Sequence, residues 1–464
     1  MTEALQPKSL TRSFVEGELA LGFWSFAKKA SGALDAFLIL RAFSLWQLGV
    51  YHILLSLYGI ASDFFHDVFS EVIGNDLARL AGAGEEAKAK RLFCEYAAFR
   101  MGMAVLPAAA FFFAAPWVAA FLGYGGEAAA ALRIMAFFFI AEALIGLATL
   151  LLKLRLAFRV LAPRATIQKL LQFGILAGFF FFSRLDISTV FWAQLGGATG
   201  AFLVMLPAAL RRTAPWRWVP AAREPMFLPA VRAYGKWAVP QAFLADLTGK
   251  ARPWLIRLFV GTEAVGVFGV ANTFLSAIKD LLPIRTPGSL VPRRIRDAGA
   301  LDRFYRYGSK YYVWLAVGLC AGAAVAVPVA IGIFFPKFYP SVPLFWILLV
   351  SVPFFAFMKP MTFLLVAFRR QKFLFFQSAL QTAIASALML IFLPAAGVMG
   401  LAIAEALASI ANVGVRYRYL VRQGVIGRFR FRSLFAFDDR DRAHAAALMR
   451  HLSFARSPRR DHQL

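Results

Sequence analysis

The chain has 464 residues, of which 60% are hydrophobic, 49 are Phe and only 16% carry charge; this excludes a soluble globular protein of such size and leaves a polytopic membrane protein. A net charge of +26 would suit nucleic acid, but Lys and Arg cluster beside apolar runs, which is the pattern of a membrane-orientation signal, so no nucleic-acid partner is expected. Cys94 and Cys320 lie in apolar runs without disulfide or metal spacing, and no metal or cofactor is implied.

Taken in order, the first 17 residues are polar and lack the apolar core and cleavage site of a signal peptide, so the first span acts as its own uncleaved signal. The apolar runs predict about 12 spans at ~20 residues each plus short loops. They fall at 18–41, 45–66, 92–123, 128–152, 158–183, 188–210, 234–261, 263–292, 305–336, 341–369, 372–397 and 398–420. The first carries Lys28, Lys29 and Asp35, yet its GFWSF start (Gly22–Phe26) resembles GKWAV at Gly235–Val239 in the seventh. Basic residues gather in the amino terminus, 67–91, 153–164, 211–236, 285–310, 369–372 and the tail after 415, whereas the alternate connections hold only Arg41, Arg184, Arg257 and Lys337. The positive-inside rule then places both termini in the cytoplasm.

The two halves repeat one another. Arg41–Tyr51 (RAFSLWQLGVY) and Arg257–Phe268 (RLFVGTEAVGVF) share an Arg-x-Phe start and a Gly-Val-aromatic end, and Leu150–Gln168 resembles Leu364–Gln381 as a span end, a basic turn and a restart. Six spans per half give lobes of equal orientation, related by a pseudo-twofold axis along the membrane normal. The expected organisation is a cytoplasmic segment 1–17, an N-lobe 18–210, a cytoplasmic linker 211–233, a C-lobe 234–420 and a basic cytoplasmic tail 421–464. Outward connections are a few residues long. With no large loop or surface acidic motif, an enzyme is not expected.

These residues have a family resemblance. RAFSLWQLGVY after the first span, RLFVGTEAVGVFGVANTF in the middle, and LLVAFRRQK followed by the turn GVMGLAIAEALA resemble the polysaccharide-transporter branch of the multidrug/oligosaccharidyl-lipid/polysaccharide (MOP) flippase superfamily, over about Gly17 to Leu420. The resemblance implies an all-α membrane protein of about 12 helices in two six-helix lobes. It also implies a flippase in the bacterial inner membrane, turning a polyprenyl-diphosphate-linked oligosaccharide from the cytoplasmic to the outer leaflet by alternating access. Membrane lipids and other polysaccharide-assembly membrane proteins are the expected partners. A cation-coupled multidrug exporter of the same superfamily is the alternative, and a membrane-embedded glycan polymerase or ligase a more distant one.

Moving a diphosphate through a region of low dielectric calls for fixed cations, which pair with phosphate oxygens and replace lost hydration. The candidates are Lys28, Lys29, Lys250, Arg252, Lys279 and Lys359, all within predicted spans. They match the superfamily's cavity cations by span and not by motif. Arg41, Arg133 and Arg257 read instead as side chains snorkelling to the interface. Asp35, Glu142, Asp246 and Glu405 are acids in apolar surroundings. The first three are candidate proton or sodium sites, with Asp246 also placed to pair with Lys250 one turn away. Pro240 and Pro253 bracket the charged centre of the seventh span and Pro360 follows Lys359, so these are candidate bends. Gly196–Gly200 and Gly318–Gly322 are small-xxx-small pairs expected to pack against neighbouring helices. The tail from Arg428 reads as solvated charge with a short amphipathic stretch near Ala443–Leu452.

Overall fold

The computed structural model describes residues 10–62, 69–155, 157–282, 298–368 and 371–427; some helical side chains, including those of 233–243, Ala245 and Asp246, lie outside the described set, as do the tail from Arg428 and its amphipathic stretch. Among the described residues the chain is almost entirely helical. The elements are α1 (Leu10–Ala42), α2 (Leu45–Ser62), α3 (Ser70–Gly82), α4 (Glu86–Phe121), α5 (Gly126–Leu154), α6 (Phe158–Leu161), α7 (Arg164–Phe182) and α8 (Ile187–Thr213). After a short 3-10 turn at Ala214–Arg217 come α9 (Phe227–Phe259), α10 (Thr262–Leu281), α11 (Ala298–Phe334), α12 (Ser341–Leu349), α13 (Ser351–Ala367) and α14 (Gln371–Arg422).

Eight described stretches are long and apolar enough to cross a membrane, the last being the 51 residues Lys372–Arg422. That stretch is bent in its middle. Ala396 (φ −136°, ψ 17°) and Gly397 (φ 58°, ψ −143°) leave helical geometry, so α14 is two spans joined where the predicted spans 372–397 and 398–420 meet. The positive φ at Gly397 is a conformation that a side chain disfavours. Helices α1, α2 and α9 occupy the remaining three predicted spans. Large apolar side chains such as Phe113, Trp117, Phe121, Val325 and Ile333 are exposed, as a lipid-facing surface requires.

The chain divides into two compact units. The first comprises residues 1–277, 323–349 and 371–408, and the second 278–322, 350–370 and 409–464. Within the first, small residues let helices approach closely: Ala104 and Ala108 of α4 meet Ala136, Phe139 and Ala143 of α5. On its other side α5 packs Ile145, Ala148 and Leu152 against Ala198, Met205 and Ala209 of α8. Gly196 and Gly200 of α8 face Ile175 and Leu171 of α7, the packing expected of them, whereas Gly318 and Gly322 have open space within 4 Å. The start of α8 is fixed by a capping box, in which Asp186 accepts from Thr189 N at 2.7 Å and donates its own backbone N–H to Thr189 Oγ1 at 2.8 Å.

The repeat read in the sequence is visible as structure in the first unit. In each copy a long helix ends in an Arg-x-Phe stretch, at Ala42 in Arg41–Phe43 and at Phe259 in Arg257–Phe259, and a two-residue break, Phe43–Ser44 or Val260–Gly261, leads into the new helix α2 or α10. The two new helices cross at their glycines. A Cβ on Gly49 would collide with the carbonyl oxygen of Thr262, one on Gly266 with that of Leu45, and one on Gly269 with the His52 ring. Leu45 and Thr262, Gly49 and Gly266, and His52 and Gly269 stand at equivalent places in the two copies, so the contact is made twice, once from each copy.

Several expectations are corrected. The 67–91 connection is not a plain loop but contains α3, whose Ile73, Leu77 and Leu80 are buried with Leu92, Tyr96, Leu150 and Trp216. The fifth span starts at Arg164, after Pro163, and not at 158. Helix α9 runs continuously through Pro240 and Pro253, and α13 through Pro360. The 211–233 linker is tied down: Lys90 Nζ donates to the carbonyls of Trp216 (2.6 Å) and Val219 (2.7 Å), and the Ala222 N–H to Ala87 O (3.2 Å). Glu95 of α4 accepts from the N–H groups of Met226 (2.9 Å) and Phe227 (2.8 Å), placing a carboxylate on the otherwise unsatisfied N-terminus of α9.

Candidate functional site

Helix α1 carries Lys28 and Lys29 on its exposed side, and Thr166 Oγ1 of α7 donates to Trp24 O at 2.6 Å, tying the two helices together. Two turns further Asp35 is buried, at 4% exposure, with Lys169 Nζ of α7 3.4 Å from Oδ2. Lys169 also donates to Gln172 Oε1 at 2.9 Å, while Asp35 Oδ1 has no hydrogen-bond partner among the described residues. No spacing rule joins Asp35 to Lys169, since the two lie 134 residues apart.

Glu142 is not buried as expected but exposed on α5, where Ser62 Oγ donates to it at 3.4 Å. It has no basic residue at helical spacing, but α7 brings Arg164 into electrostatic reach, with Arg100 close behind. Arg164 Nη1 donates to Thr149 Oγ1 (3.1 Å), and the buried Arg100 donates to Tyr96 Oη (2.7 Å) in a slot that only Gly146 leaves open. Arg164 of α7 thus lies within electrostatic range of an acid on α5 and an arginine on α4. In sequence Arg164 closes a basic connection and Arg100 stands alone in an apolar run, so neither is marked as a partner of Glu142.

Lys250 and Arg252 are adjacent on α9 but turn to different protein partners. Lys250 Nζ donates to Gly59 O of α2 at 2.9 Å, its own carbonyl accepts from Ser56 Oγ, and Trp254 Nε1 donates to Ser56 Oγ at 3.0 Å. Arg252 Nη1 lies 2.9 Å from Glu405 Oε2 of α14. The side chain of Asp246 lies outside the described residues, so its pairing with Lys250 is not described. At the break before α10, Arg257 Nη2 donates to Leu122 O at 2.7 Å and lies 5.3 Å from the centre of the Tyr124 ring.

In the second unit the structure brings Lys279 and Lys359 together. Their ammonium nitrogens stand 5.5 and 4.3 Å from the centre of one ring, that of Phe355. Among the described residues no group of His, Cys, Asp and Glu could hold a metal ion.

The family of polysaccharide biosynthesis proteins matches residues 85–336, more than half of the chain. The chain belongs to that family. No curated protein is significantly similar to it in sequence. Among solved structures, this polysaccharide biosynthesis protein is similar to an inward-facing multidrug resistance MATE family transporter of the MOP superfamily, with TM-score 0.71 and 12% identity over 86% of this chain and 94% of that one. It is similar also to the lipid II flippase MurJ in an inward closed conformation (TM-score 0.69, 12% identity, 96% and 94% covered). A third is the Vibrio cholerae MATE transporter VcmN, as its D35N mutant (TM-score 0.63, 14% identity, 89% and 98% covered). This family member therefore has the all-α, two-lobe fold of about 12 membrane helices found in the MOP superfamily, and it is a multi-pass membrane protein.

Proposed function

We propose that this protein flips a polyprenyl-diphosphate-linked oligosaccharide from the cytoplasmic to the outer leaflet of the bacterial inner membrane, with both termini cytoplasmic, as a transporter and not an enzyme. The observation that carries the reading is the placing of fixed cations within membrane-spanning helices, above all Lys279 and Lys359 on a shared aromatic face. Cations in spans cost several kcal/mol unless a partner or substrate compensates them, and a diphosphate supplies that compensation. Lys28 and Lys29 would meet the headgroup on α1, while Lys250 and Arg252 hold α9 to α2 and α14. The twofold glycine crossing of α2 and α10 suits alternating access, because a seam of small residues can part without stripping large side chains from each other. Residues 18–210 and 234–420 would be the moving lobes, joined by the linker, and bilayer lipids and other polysaccharide-assembly proteins the partners.

A cation-coupled multidrug exporter is the second reading, favoured by the buried Asp35 with one oxygen lacking a hydrogen-bond partner. The deciding experiment reconstitutes the purified protein with a fluorescent polyprenyl-diphosphate oligosaccharide and follows its exposure to a membrane-impermeant reagent. Leaflet exchange of this lipid supports the flippase. Uptake of organic cations driven by a proton or sodium gradient, without lipid exchange, supports the exporter.

A further inference from the structure

The linker after α8 holds two tryptophans in opposite ways. Trp216 is turned inward: it is 6% exposed, packs with Ile73, Leu77 and Leu80 of α3, and its indole N–H donates to Glu86 Oε2. Arg155 closes over it, with the guanidinium carbon 5.3 Å from the ring centre and Nη1 bonded to Glu86 Oε1 at 2.8 Å. Trp218, two residues on, is 89% exposed. Its exposure is not that of a slack loop, because Lys90 clasps the carbonyls on either side of it, those of Trp216 and Val219. The same ties set its depth. Lys90 and Ala87, which hold Val219 and Ala222, stand just before the apolar run that begins at residue 92, so this part of the linker lies about 3–8 Å outside that run at the helical rise. That is the headgroup layer, where tryptophan is enriched because its ring is apolar and its N–H polar. The charge around it has one sign. Residues 211–224 carry four Arg to one Glu, and Glu224 has Lys88 within electrostatic reach. Arg211, Arg212 and Arg217 are exposed and have no ion-pair partner among the described residues. Arg211 also stands at helical spacing from the exposed Leu203 and Val204 of α8, at the end of a lipid-facing stripe.

We infer that Trp218, with Arg211, Arg212 and Arg217, forms a docking surface for anionic phospholipid, the indole seated among the headgroups and the guanidiniums on lipid phosphates. Guanidinium forks match phosphate oxygens, and a headgroup with net negative charge adds an attraction that a zwitterionic one cancels with its own cation. The depth of the linker and its continuity with the lipid-facing side of α8 favour a bilayer surface over an acidic protein partner. Docking ties the linker to the leaflet on one side while Trp216 ties it to α3, α4 and α5 on the other. The surface does not depend on which molecule the protein transports.

The test reconstitutes the full-length protein in dioleoyl-phosphatidylcholine bilayers containing graded fractions of brominated phosphatidylglycerol or brominated phosphatidylcholine. Bromine quenches an indole that it touches, and subtracting the signal of the Trp218→Phe variant isolates Trp218. Both lipids should quench Trp218 when abundant. Phosphatidylglycerol should bind about fivefold or more tightly than phosphatidylcholine, the worth of one arginine near an anionic surface, and the preference should shrink as salt is added. The triple variant Arg211→Gln, Arg212→Gln, Arg217→Gln, with its own Trp218→Phe reference, should lose the preference while Trp218 stays quenched. The corresponding triple Lys variant should keep most of it. All these side chains are exposed, so the variants should fold, and thermal unfolding in detergent checks this. Absence of quenching by either lipid would overturn the proposal and assign Trp218 to a protein partner. Equal affinity for the two lipids in the wild type, or an undiminished preference in the triple Gln variant, would overturn it as well.

Discussion

The Arg252–Glu405 pair separates a cation that holds the bundle from one that holds substrate. Its atoms are 2.9 Å apart, its side chains only 19% and 8% exposed, and it joins α9 to α14 within one compact unit. Removing one member of a buried pair leaves the other charge uncompensated and costs about 3–5 kcal/mol. Glu405→Gln keeps the shape and an acceptor oxygen, so its cost should fall near the lower end, ~3 kcal/mol, and Arg252→Gln should cost at least as much. The double variant removes both charges and leaves two amides able to bond one another, so most of the loss should return. The assay is thermal unfolding in detergent of the wild type, both single variants and the double variant, with lipid exchange measured on the same preparations. Activity should follow stability, low in the single variants and largely restored in the double. A double variant as stable as wild type yet as inactive as Arg252→Gln would refute this and make Arg252 a substrate ligand. Single variants as stable as wild type would show that the pair contributes nothing.

Gly49→Ala and Gly266→Ala should each disfavour the state in which α2 and α10 cross by about 1–3 kcal/mol, because the new methyl meets a backbone carbonyl that must move. Spin-label distances between the two helices should lengthen to a similar extent in both variants, since the contact is repeated; an effect at one glycine alone would contradict the repeat. Glu95→Gln should destabilise the start of α9 by about 1–2 kcal/mol and speed proteolysis of the linker between 214 and 226, because the carboxylate holds two backbone N–H groups there. Unchanged cleavage would show that the linker is held by the Lys90 contacts instead. An inside-negative potential drives anions outward at roughly 2.3 kcal/mol per charge per 100 mV, on the order of 4–5 kcal/mol for a diphosphate with about two charges. Asp35→Asn, Glu142→Gln and Asp246→Asn should then each slow potential-driven exchange less than Lys279→Gln with Lys359→Gln, and complete loss in any acid variant would reveal ion coupling.

The spans were legible because apolar runs of the right length have few alternatives, and the Ala396–Gly397 bend because glycine there interrupts one such run. The motif pair at Arg41 and Arg257 could be read as a repeat, but not as a self-crossing, since which helices meet depends on tertiary packing. Helix α3 left a signal that went unused: Ile73, Leu77 and Leu80 recur at helical spacing, although 13 residues with two glycines read as a loop. The site was legible as a list of charges and not as an arrangement. Asp35 finds Lys169, Arg252 finds Glu405 and Glu142 finds Arg164 only through folding, so no spacing rule reaches them. Arg416 reads in sequence as the first charge of the tail, because near a span end a buried arginine and a snorkelling one look alike.

The account rests on the transported molecule, and leaflet exchange under an imposed potential tests it most directly. Proteoliposomes holding the wild-type protein and a labelled polyprenyl-diphosphate oligosaccharide are given a potential negative on the side that carries the lipid, with no proton or sodium gradient. The account predicts that the label crosses, faster as the potential grows, and that it stops when Lys279 and Lys359 are both replaced by Gln in a protein that remains folded. No crossing by wild-type protein under any potential, together with gradient-driven efflux of organic cations, would contradict it.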